Sequence, residues 1–343
     1  ETMSKKIVTF GEIMLRLTPP NHKRIIQTDK FNAIYGGGEA NVAVSLSNFN
    51  NDAWFVSLLP ANALGDAAEN KLRQYGVKTE YLKRSGNRLG IYFLEHGASV
   101  RPSNVIYDRA DSAIANIQPG DIDWSEVFAD KDWFHFTGIT PALSSNAAEV
   151  TLEAVKAAKD SGLTVSCDLN YRGKLWTKSK AKKTMTDLVK YVDVIIGNEA
   201  DASDVFGINA ETTDVHSGKL DMDHYKSTAQ QLMDLSGCET VAITLRESLS
   251  ASDNNWSAML YDGKEVFTSK KYAIHLVDRV GGGDSFCAGL IHGLANGWEN
   301  QQALEFAVAA SGLKQTIPGD ANLISEEEVM NLVAGDASGR IKR

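Results

Sequence analysis

One glycine-rich segment near the C-terminus decides how the rest of the chain is interpreted: Asp278-Arg279-Val280-Gly281-Gly282-Gly283-Asp284-Ser285-Phe286-Cys287-Ala288-Gly289. Apolar residues at helical spacing resume with Phe286, Leu290 and Leu294, which places the glycines and Asp284 at the N-terminus of a predicted helix. Free N–H groups at such an end bind anions. A carboxylate beside them can accept a proton from an attacking hydroxyl while the amides hold a transferring phosphoryl group. A glycine-rich turn with Asp284 as its N-cap is the alternative.

Two common nucleotide-binding motifs do not describe this segment. No lysine follows the glycines at 281–283, so the segment is not a P-loop. The first predicted strand, residues 7–10, is not followed by G-x-G-x-x-G, which argues against a dinucleotide site. The segment therefore indicates a phosphate site of another kind.

Outward from this segment, short apolar strands alternate with longer amphipathic helices for most of the chain. Strands are predicted at residues 7–10, 54–59, 163–168, 192–196 and 240–245. Helices of ten residues or more lie between several of them, and glycines end these helices. This alternation is typical of βαβ units and predicts an α/β fold with a mostly parallel central sheet.

Two stretches, about 14–35 and 88–110, break the alternation because they are rich in β-formers or turn residues and have little helical period. In the second stretch, Leu89, Ile91 and Phe93 alternate with Arg88, Gly90 and Tyr92. We interpret both stretches as strands outside the main sheet that form a small β-sheet flap. No long linker or repeat divides the chain, so we predict one α/β domain, residues 3–337, with the flap inserted in it.

The composition limits the partners and the location of the protein. The 343 residues carry a formal net charge of −9, which argues against broad nucleic-acid binding and against a basic membrane-surface protein. No apolar run approaches the ~20 residues of a membrane span. The three cysteines, Cys167, Cys238 and Cys287, form neither a disulfide framework nor a zinc pair. Because no signal peptide precedes the strand at 7–10, we expect a reduced, cytoplasmic setting.

The seven histidines show no metal-binding pattern such as H-E-x-x-H. His135 lies in an apolar predicted strand and is interpreted as a packed residue. Four others are interpreted as surface positions: His96, His216, His224 and His275.

Three motifs, in this order, resemble those of the ribokinase-like, or PfkB, carbohydrate kinases. Residues 35–43, Tyr35-Gly36-Gly37-Gly38-Glu39-Ala40-Asn41-Val42-Ala43, are similar to the N-terminal sugar-binding signature of the family. Residues 197–201, Gly197-Asn198-Glu199-Ala200-Asp201, are similar to its N-x-x-E motif, and residues 281–284 to its C-terminal signature, usually G-A-G-D. The resemblance covers nearly the whole chain and implies a ribokinase-like three-layer α/β sandwich.

The resemblance also implies roles in phosphoryl transfer from ATP. Asp284 would be the base, and the backbone amides of Gly281, Gly282, Gly283 and Asp284 would form the anion hole. Asn198 and Asp201 would organise Mg²⁺ and its waters near the ATP phosphates, without a dedicated protein site for the metal. For these two residues a helix cap is the alternative.

The chain departs from the family pattern at the nucleotide loop. The family usually has T-x-G-x-x-G after the strand predicted at 240–245, whereas this chain has Thr244-Leu245-Arg246-Glu247-Ser248-Leu249, with neither glycine. Thr244 and Arg246 are candidate ATP contacts. Arg279 stands where the family often has threonine. Whether a monovalent cation binds near the last signature is left open.

Within the family, the chain is most similar to kinases of the sugar acid 2-keto-3-deoxygluconate. That resemblance implies phosphorylation of the 6-hydroxyl of the sugar acid. Substrate contacts are expected from the N-terminal signature, the flap and two later loops, at Gly37, Gly38, Asn41, Tyr92, Tyr107, Arg109, Arg172 and Asp320. Arginine and tyrosine side chains can receive a carboxylate, but exposed surface arginines, flap packing and a turn aspartate are the alternatives.

The family resemblance further implies a flap that closes over the sugar as a lid, and a homodimer or a dimer-based oligomer formed through the flap. A kinase of a neutral sugar such as fructose is the main competing interpretation. A catalytically silent sugar-binding protein and a nicotinamide-dependent dehydrogenase are two others.

Overall fold

A ten-stranded sheet and a separate four-stranded sheet organise the chain in this computed structural model, which describes residues 3–208 and 218–339. The strands are β1 (Lys6–Phe10), β2 (Met14–Thr18), β3 (Asn32–Gly36), β4 (Asp52–Leu59), β5 (Leu82–Arg84), β6 (Ile91–Glu95), β7 (Asn104–Asp108), β8 (Trp133–Thr137), β9 (Thr164–Asp168), β10 (Val194–Asn198), β11 (Thr240–Ser248), β12 (Asp253–Tyr261), β13 (Val266–Thr268) and β14 (Tyr272–His275). The α-helices are α1 (Gly38–Asn48), α2 (Ala63–Gln74), α3 (Trp124–Phe128), α4 (Ser145–Asp160), α5 (Lys178–Leu188), α6 (Asp201–Phe206), α7 (Gly218–Ser236), α8 (Gly282–Ala295), α9 (Asn300–Lys314) and α10 (Glu326–Val333). No helix in these two ranges is both long enough and apolar enough to cross a membrane.

The large sheet has the strand order β13-β12-β11-β10-β9-β8-β1-β4-β5, and β14 also pairs with β12. Neighbouring strands from β11 to β5 run parallel, whereas β12 pairs antiparallel with β11, β13 and β14. The predicted mostly parallel α/β architecture is therefore confirmed. Because parallel strands end at the same edge of a sheet, the side chains that follow β1, β8, β9 and β10 meet there.

Successive residues of the central strands enter two different apolar cores, because side chains of a strand point alternately to opposite faces. Ile7 of β1 packs in one core with residues of α1, α8 and α9, such as Phe306. Its neighbour Val8 packs in the other core with residues of α4 and α5, such as Met185. The sheet thus lies between two layers of helices. Burial of each such side chain stabilises the fold by about 1.5–3 kcal/mol.

The four-stranded sheet has the order β3-β2-β6-β7 and consists of the strands predicted within 14–35 and 88–110. On β6, Tyr92 and Leu94 are buried and pack with Met14 of β2 on the inner side. Ile91 and Phe93 alternate with them and are half-buried on the opposite face. Tyr92 therefore lies on the face of the small sheet that is directed toward the large sheet, whereas Ile91 and Phe93 lie on the opposite face.

Several strand boundaries differ from the sequence prediction, and two of these differences have a clear local cause. The strand predicted from Val192 begins at Val194, because residues 189–191 form a 3-10 turn before it. The strand predicted to end at Leu245 continues to Ser248, because residues 245–248 pair with residues 254–257 of β12. Regular antiparallel pairing does not need glycine at these positions. The segment that the sequence analysis compared with the nucleotide loop of the family is thus mostly the end of a paired strand.

Candidate active site

A cavity of about 620 Å³ lies at the carboxyl edge of the parallel strands, between the N-terminus of α8 and the inner face of the small sheet. Its volume is in the usual range for small-molecule sites. Every candidate site residue of the sequence analysis except Gly282 lines it: Gly37, Gly38, Asn41, Tyr92, Tyr107, Arg109, Arg172, Asn198, Asp201, Thr244, Arg246, Gly281, Gly283, Asp284 and Asp320. These residues come from distant parts of the chain, so the tertiary fold brings them together.

Asp284 lies in the first turn of α8 and its carboxylate reaches the cavity. Its Oδ2 accepts a hydrogen bond of 2.9 Å from Asn41 Nδ2 of α1. A Cβ added at Gly38 would stand 3.7 Å from Asp284 Oδ1, so glycine keeps the space beside this oxygen open. Burial raises the pKa of Asp284 to about 6, with further upward effects from the charges of Glu39 and Asp320. The carboxylate is therefore oriented and more basic than an ordinary aspartate.

The glycine turn before α8 exposes part of the helix N-terminus. Gly281 has φ 82°, a left-handed conformation that favours glycine, and an added Cβ would lie 2.0 Å from Asp320 O. The first intrahelical bond runs from Ser285 N to Gly281 O at 2.9 Å, so the N–H groups of Gly283 and Asp284 precede it.

Gly282 differs from the expectation for the anion hole. It is buried away from the cavity lining, and its N–H donates to Arg279 O at 3.2 Å. This internal hydrogen bond closes the turn and leaves that amide unavailable to a ligand. The predicted contribution of Gly282 to the anion hole is therefore corrected.

The motif at 197–201 makes the helix cap that the sequence left as an alternative. Asn198 Oδ1 accepts from the N–H groups of Ala200 (2.8 Å) and Asp201 (3.0 Å) at the start of α6. The Asp201 carboxylate accepts from Asn198 N (2.8 Å) and Tyr171 N (3.1 Å). Both side chains also line the cavity. Within residues 3–208 and 218–339 no group of three or more His, Cys, Asp or Glu side chains is arranged to hold a metal ion.

Three arginines of the cavity, Arg172, Arg246 and Arg279, form no ion pair with any carboxylate in the described part of the chain. Arg246 lies over the Trp256 ring, with Cζ 5.0 Å from the ring centroid. Burial, and then the nearby charge of Arg279, lower the pKa of Arg246 to about 10. The nearby charge of Glu199 opposes this effect. Unpaired guanidinium groups at this depth favour an anionic ligand.

The other arginines near the cavity are already paired. Arg109 donates to Glu12 Oε2 from Nε (3.2 Å) and Nη2 (2.6 Å). Arg16 of β2 is completely buried and donates to Asp320 Oδ1 and Asp278 Oδ2, both at 2.7 Å. The second oxygen of Asp320 accepts from Tyr92 Oη. Asp320 and Arg109, which the sequence assigned to the substrate, are thus held by protein partners.

Several lining residues were not predicted from the sequence, among them Glu12, Asp168 and Cys287. Glu12 follows β1, an interior strand of the large sheet, and this position after a strand end was the signal that could have identified it. Burial raises the pKa of Asp168 well above its usual value, and the charges of Asp201 and Asp284 add to that effect. Cys287 Sγ donates to Asp168 Oδ2 at 3.6 Å.

The histidine interpretations had mixed outcomes. His135 is buried, as predicted, and burial lowers its pKa to about 3. His96 was wrongly placed at the surface, because its ring lies 3.0 Å from Arg16 Nη2 and its side chain is only 20% exposed. His275 is exposed, as predicted. His216 lies outside the described residues.

Comparison with known proteins identifies the class of protein that this fold and cavity define. The chain belongs to the pfkB family of carbohydrate kinases, whose family model matches residues 4–327. It is therefore a phosphotransferase with an alcohol group as acceptor. The predicted family and its ribokinase-like fold are confirmed.

Three similar proteins are informative, and two of them are named for sugar acids. A 2-dehydro-3-deoxygluconokinase from Thermotoga maritima is 51% identical, with 97% of this chain and 99% of that chain covered and a TM-score of 0.93. A PfkB family carbohydrate kinase from Listeria grayi is 35% identical, with 96% and 100% covered and a TM-score of 0.89. A 2-dehydro-3-deoxygalactonokinase from Haloferax volcanii is 32% identical over 337 residues, which cover 98% of this chain and 99% of that protein.

Proposed function

We propose that the protein transfers the γ-phosphoryl group of ATP to the 6-hydroxyl of 2-keto-3-deoxygluconate, also called 2-dehydro-3-deoxygluconate. The observation that carries the proposal is the carboxylate of Asp284 in a cavity beside the N-terminus of α8. The relatives from Thermotoga maritima and Haloferax volcanii, which are named for 2-dehydro-3-deoxy sugar acids, support the substrate class. The unpaired arginines support a site for anions at both ends of the cavity.

Asp284 acts as the general base. With a pKa of about 6, the carboxylate is mostly ionised at neutral pH and still accepts a proton better than an exposed aspartate does. The Asn41 amide fixes one oxygen, which leaves the other oxygen to face the hydroxyl of the sugar. The proton of the 6-hydroxyl passes to Asp284 as the hydroxyl oxygen attacks the γ-phosphorus of ATP. The bond between that phosphorus and the oxygen that bridges it to the β-phosphate breaks, and ADP leaves with the electron pair.

The helix N-terminus stabilises the charge on the transferring group. The N–H groups of Gly283 and Asp284 lie before the first intrahelical bond of α8, and the helix dipole favours negative charge there. Gly281 turns the chain so that these groups meet the cavity. The proposed anion hole therefore consists of backbone amides of Gly281, Gly283 and Asp284, without Gly282.

The nucleotide phosphates bind at the end of the cavity that carries Arg246 and Arg279. Neither guanidinium group forms an ion pair with a carboxylate of the described residues, and Thr244 lines the same end. Mg²⁺ would neutralise part of the charge of the triphosphate. It would be held mainly by phosphates and water, because Asn198 and Asp201 already accept two backbone hydrogen bonds each.

The sugar binds at the end beneath the small sheet. Arg172 receives the substrate carboxylate, because its guanidinium forms no ion pair with the residues that the structure describes and its hydrogen bond to Tyr171 O is long, 3.4 Å. Tyr107 also lines this end, and the backbone of Gly37 and Gly38 forms part of the wall. A Cβ at Gly37 would lie 1.9 Å from Glu12 O, so this close approach needs glycine.

Tyr92, Arg109 and Asp320 shape the sugar end through their contacts with the protein. Their hydrogen bonds to Asp320, Glu12 and Arg16 respectively fix the wall before substrate arrives. They present their remaining polar atoms to the sugar hydroxyls. A preorganised wall of this kind reduces the entropy lost on binding.

The small sheet acts as a lid within a single α/β domain, residues 3–337, and its outer face joins two subunits. Leu17, Ala33, Phe93 and Ile106 are cross-strand partners in one row on that face. Ile106 is 48% exposed, and a second copy of the chain would cover it. The three cysteines are free and buried, which is consistent with a cytoplasmic location.

The assembly is tested by measuring the molar mass in solution. We expect a dimer or a multiple of it for the unmodified protein, and a smaller species for Ile106→Lys, because a buried lysine without a partner disfavours the contact. A wild type that is monomeric at micromolar concentration would rule out the dimer but would leave the kinase assignment intact.

The substrate is tested by an ADP-release assay with 2-keto-3-deoxygluconate, its 4-epimer 2-keto-3-deoxygalactonate, and fructose. We expect the highest kcat/KM with a 2-keto-3-deoxy sugar acid and little turnover of fructose. The position of the new phosphate is read from the ³¹P–¹H coupling in the product. Preference for fructose would replace the proposal by a neutral-sugar kinase, and phosphate on another oxygen would refute the role of the 6-hydroxyl.

A further inference from the structure

The last residue of α9, Lys314, has a completely buried side chain beside the glycine turn. Its Nζ donates to two backbone carbonyls, Asp278 O at 3.1 Å and Ile317 O at 3.2 Å. Lysine is almost never fully buried unless it is paired. The position of this ammonium group therefore calls for a structural or functional reason.

The two carbonyls belong to the two loops that support the anion hole. Asp278 lies just before the turn at 279–281, and its Oδ1 accepts from Val280 N at 3.1 Å. Ile317 lies in the loop between α9 and Asp320. A Cβ added at Gly281 would be 3.3 Å from Lys314 Cε and 2.0 Å from Asp320 O. Lys314 thus lies directly beneath the turn whose amides face the cavity.

Lys314 belongs to a cluster of buried charges of both signs. Two buried carboxylates, Asp278 and Asp320, lie with two buried cations, Arg16 and Lys314. Burial lowers the pKa of Lys314, and the charges of Asp278 and Asp320 oppose that effect. Removing the ammonium group would leave an excess negative charge next to an anion-binding turn, which is unfavourable for a phosphate ligand.

Carbonyl oxygens next to carboxylates are the ligands that a monovalent cation such as K⁺ uses. Lysine offers a compact charge with three donors, which such oxygens accept equally well. The sequence analysis left open whether a monovalent cation binds near residues 281–284. We propose that the ammonium group of Lys314 takes the place of such a cation and positions the anion-hole turn, so that the kinase works without K⁺. The residues at this position therefore do not fit a separate ion.

Lys314 is a positioning residue in this scheme, because it acts through Asp278 O and the turn at Gly281 and lies outside the cavity lining. The inference rests on the pfkB family reaction and holds for whichever sugar the protein accepts. Its tests therefore use the best substrate found in the panel. Failure of the sugar-acid assignment and failure of the role of Lys314 are thus distinguishable.

The first test uses the unmodified protein. ADP release is measured in tetramethylammonium buffer free of Na⁺, K⁺ and NH₄⁺, and then with KCl replacing tetramethylammonium chloride at constant ionic strength. We expect the same kcat and the same melting temperature in both buffers. A several-fold activation by KCl would overturn the proposal.

The second test compares Lys314→Ala, which leaves room for an ion, with Lys314→Met, which fills the space without charge. Loss of charged hydrogen bonds worth about 1.5–3 kcal/mol predicts a fall in kcat of about tenfold to a hundredfold in both, with a smaller change in KM for the sugar. We expect KCl or NH₄Cl to restore kcat and raise the melting temperature of Lys314→Ala only. Lys182→Ala, at an exposed position on α5, is the control and should match the wild type.

Two outcomes of this comparison would overturn the proposal. One is a Lys314→Ala variant that K⁺ does not rescue, which would reduce Lys314 to a packing residue. The other is equal rescue of the alanine and methionine variants, which would place the ion elsewhere. If both variants fail to fold, the KCl titration of the wild type still decides between dependence on K⁺ and independence from it.

Discussion

The two ends of the cavity differ in how many of their arginines are bound by carboxylates of the protein. At the sugar end, Arg16 and Arg109 are buried and each is bound by carboxylates of the protein. At the nucleotide end, Arg246 and Arg279 have no ion pair among the described residues, and the charge of Arg279 contributes to lowering the pKa of Arg246. The paired arginines form a neutral, fixed part of the wall at the sugar end, where Arg172 stands apart from them without an ion pair among the described residues, whereas both arginines of the nucleotide end are unpaired there.

The difference follows from the ligands that each end is proposed to receive. Sugar hydroxyls need oriented donors and acceptors, and paired side chains supply them without a strong field. A triphosphate needs compensating charge, and unpaired guanidinium groups supply it. These two guanidinium groups repel each other in the absence of the anion. The nucleotide end therefore lowers the stability of the unliganded protein and favours binding of the anion.

The largest expected effect is the loss of kcat on substitution of Asp284, which lies between the sugar end and the nucleotide end. Asp284→Asn keeps the shape of the side chain and its contact with Asn41 but removes the base, so kcat should fall by about 10²–10⁴-fold. The measurement is ADP release under saturating ATP and sugar. The exposed Asp187→Asn serves as the control. A variant with more than a tenth of the wild-type kcat would contradict the assigned role.

Removing a paired arginine should reduce stability far more than removing an unpaired one. Arg16→Met leaves Asp278 and Asp320 without their guanidinium partner, and we expect a loss of about 3–5 kcal/mol in the free energy of unfolding. Arg279→Met leaves no carboxylate behind and should change stability little. Urea unfolding of both variants measures the difference. Equal losses would remove the distinction between the two ends.

Substitution of an unpaired arginine should weaken the binding of the ligand at its own end of the cavity. Loss of a charge-assisted hydrogen bond worth about 1.5–3 kcal/mol predicts a KM for ATP raised about tenfold to a hundredfold in Arg246→Met. Arg172→Met should raise the KM for the sugar acid by a similar factor and leave that for ATP nearly unchanged. Crossed effects, with Arg172→Met acting on ATP, would show that the two ends are wrongly assigned.

The smallest effect is the pH dependence set by Asp284. Its pKa of about 6 predicts that kcat/KM falls by about tenfold per pH unit below pH 6, as the base becomes protonated. The stability of the fold depends on pH in the opposite direction. Since the folded-state pKa lies above the usual 3.8, the contribution of this group to stability is complete below pH 4 and lost as the pH rises through 6.

The Asn variant separates these two effects. Asp284→Asn should show a flatter stability profile between pH 4 and pH 7 and a higher melting temperature than the wild type at pH 7. A variant that is less stable than the wild type at pH 7 would indicate that the ionised carboxylate stabilises the fold.

The sequence by itself determined the fold class, the flap strands and many of the residues that line the cavity, although it did not predict Glu12, Asp168 or Cys287. Apolar periodicity sets which segments become strands and helices, and parallel strands bring their carboxyl ends to one edge. Asp284, Asn198 and Arg246 follow or precede such elements, so their meeting was predictable. The glycine at 281 was also readable, because a left-handed turn before a helix favours it.

Only the tertiary structure decided which of these side chains are free and which are held. Arg109 and Arg172 look alike in the sequence, but Arg109 meets Glu12, 97 positions away, whereas no carboxylate within residues 3–208 and 218–339 lies at ion-pair distance from Arg172. Lys314 could not be assigned at all, because its partners are carbonyls brought beneath it by two loops. Pairing depends on distances of a few ångströms between segments remote in the chain, and no local pattern encodes those distances.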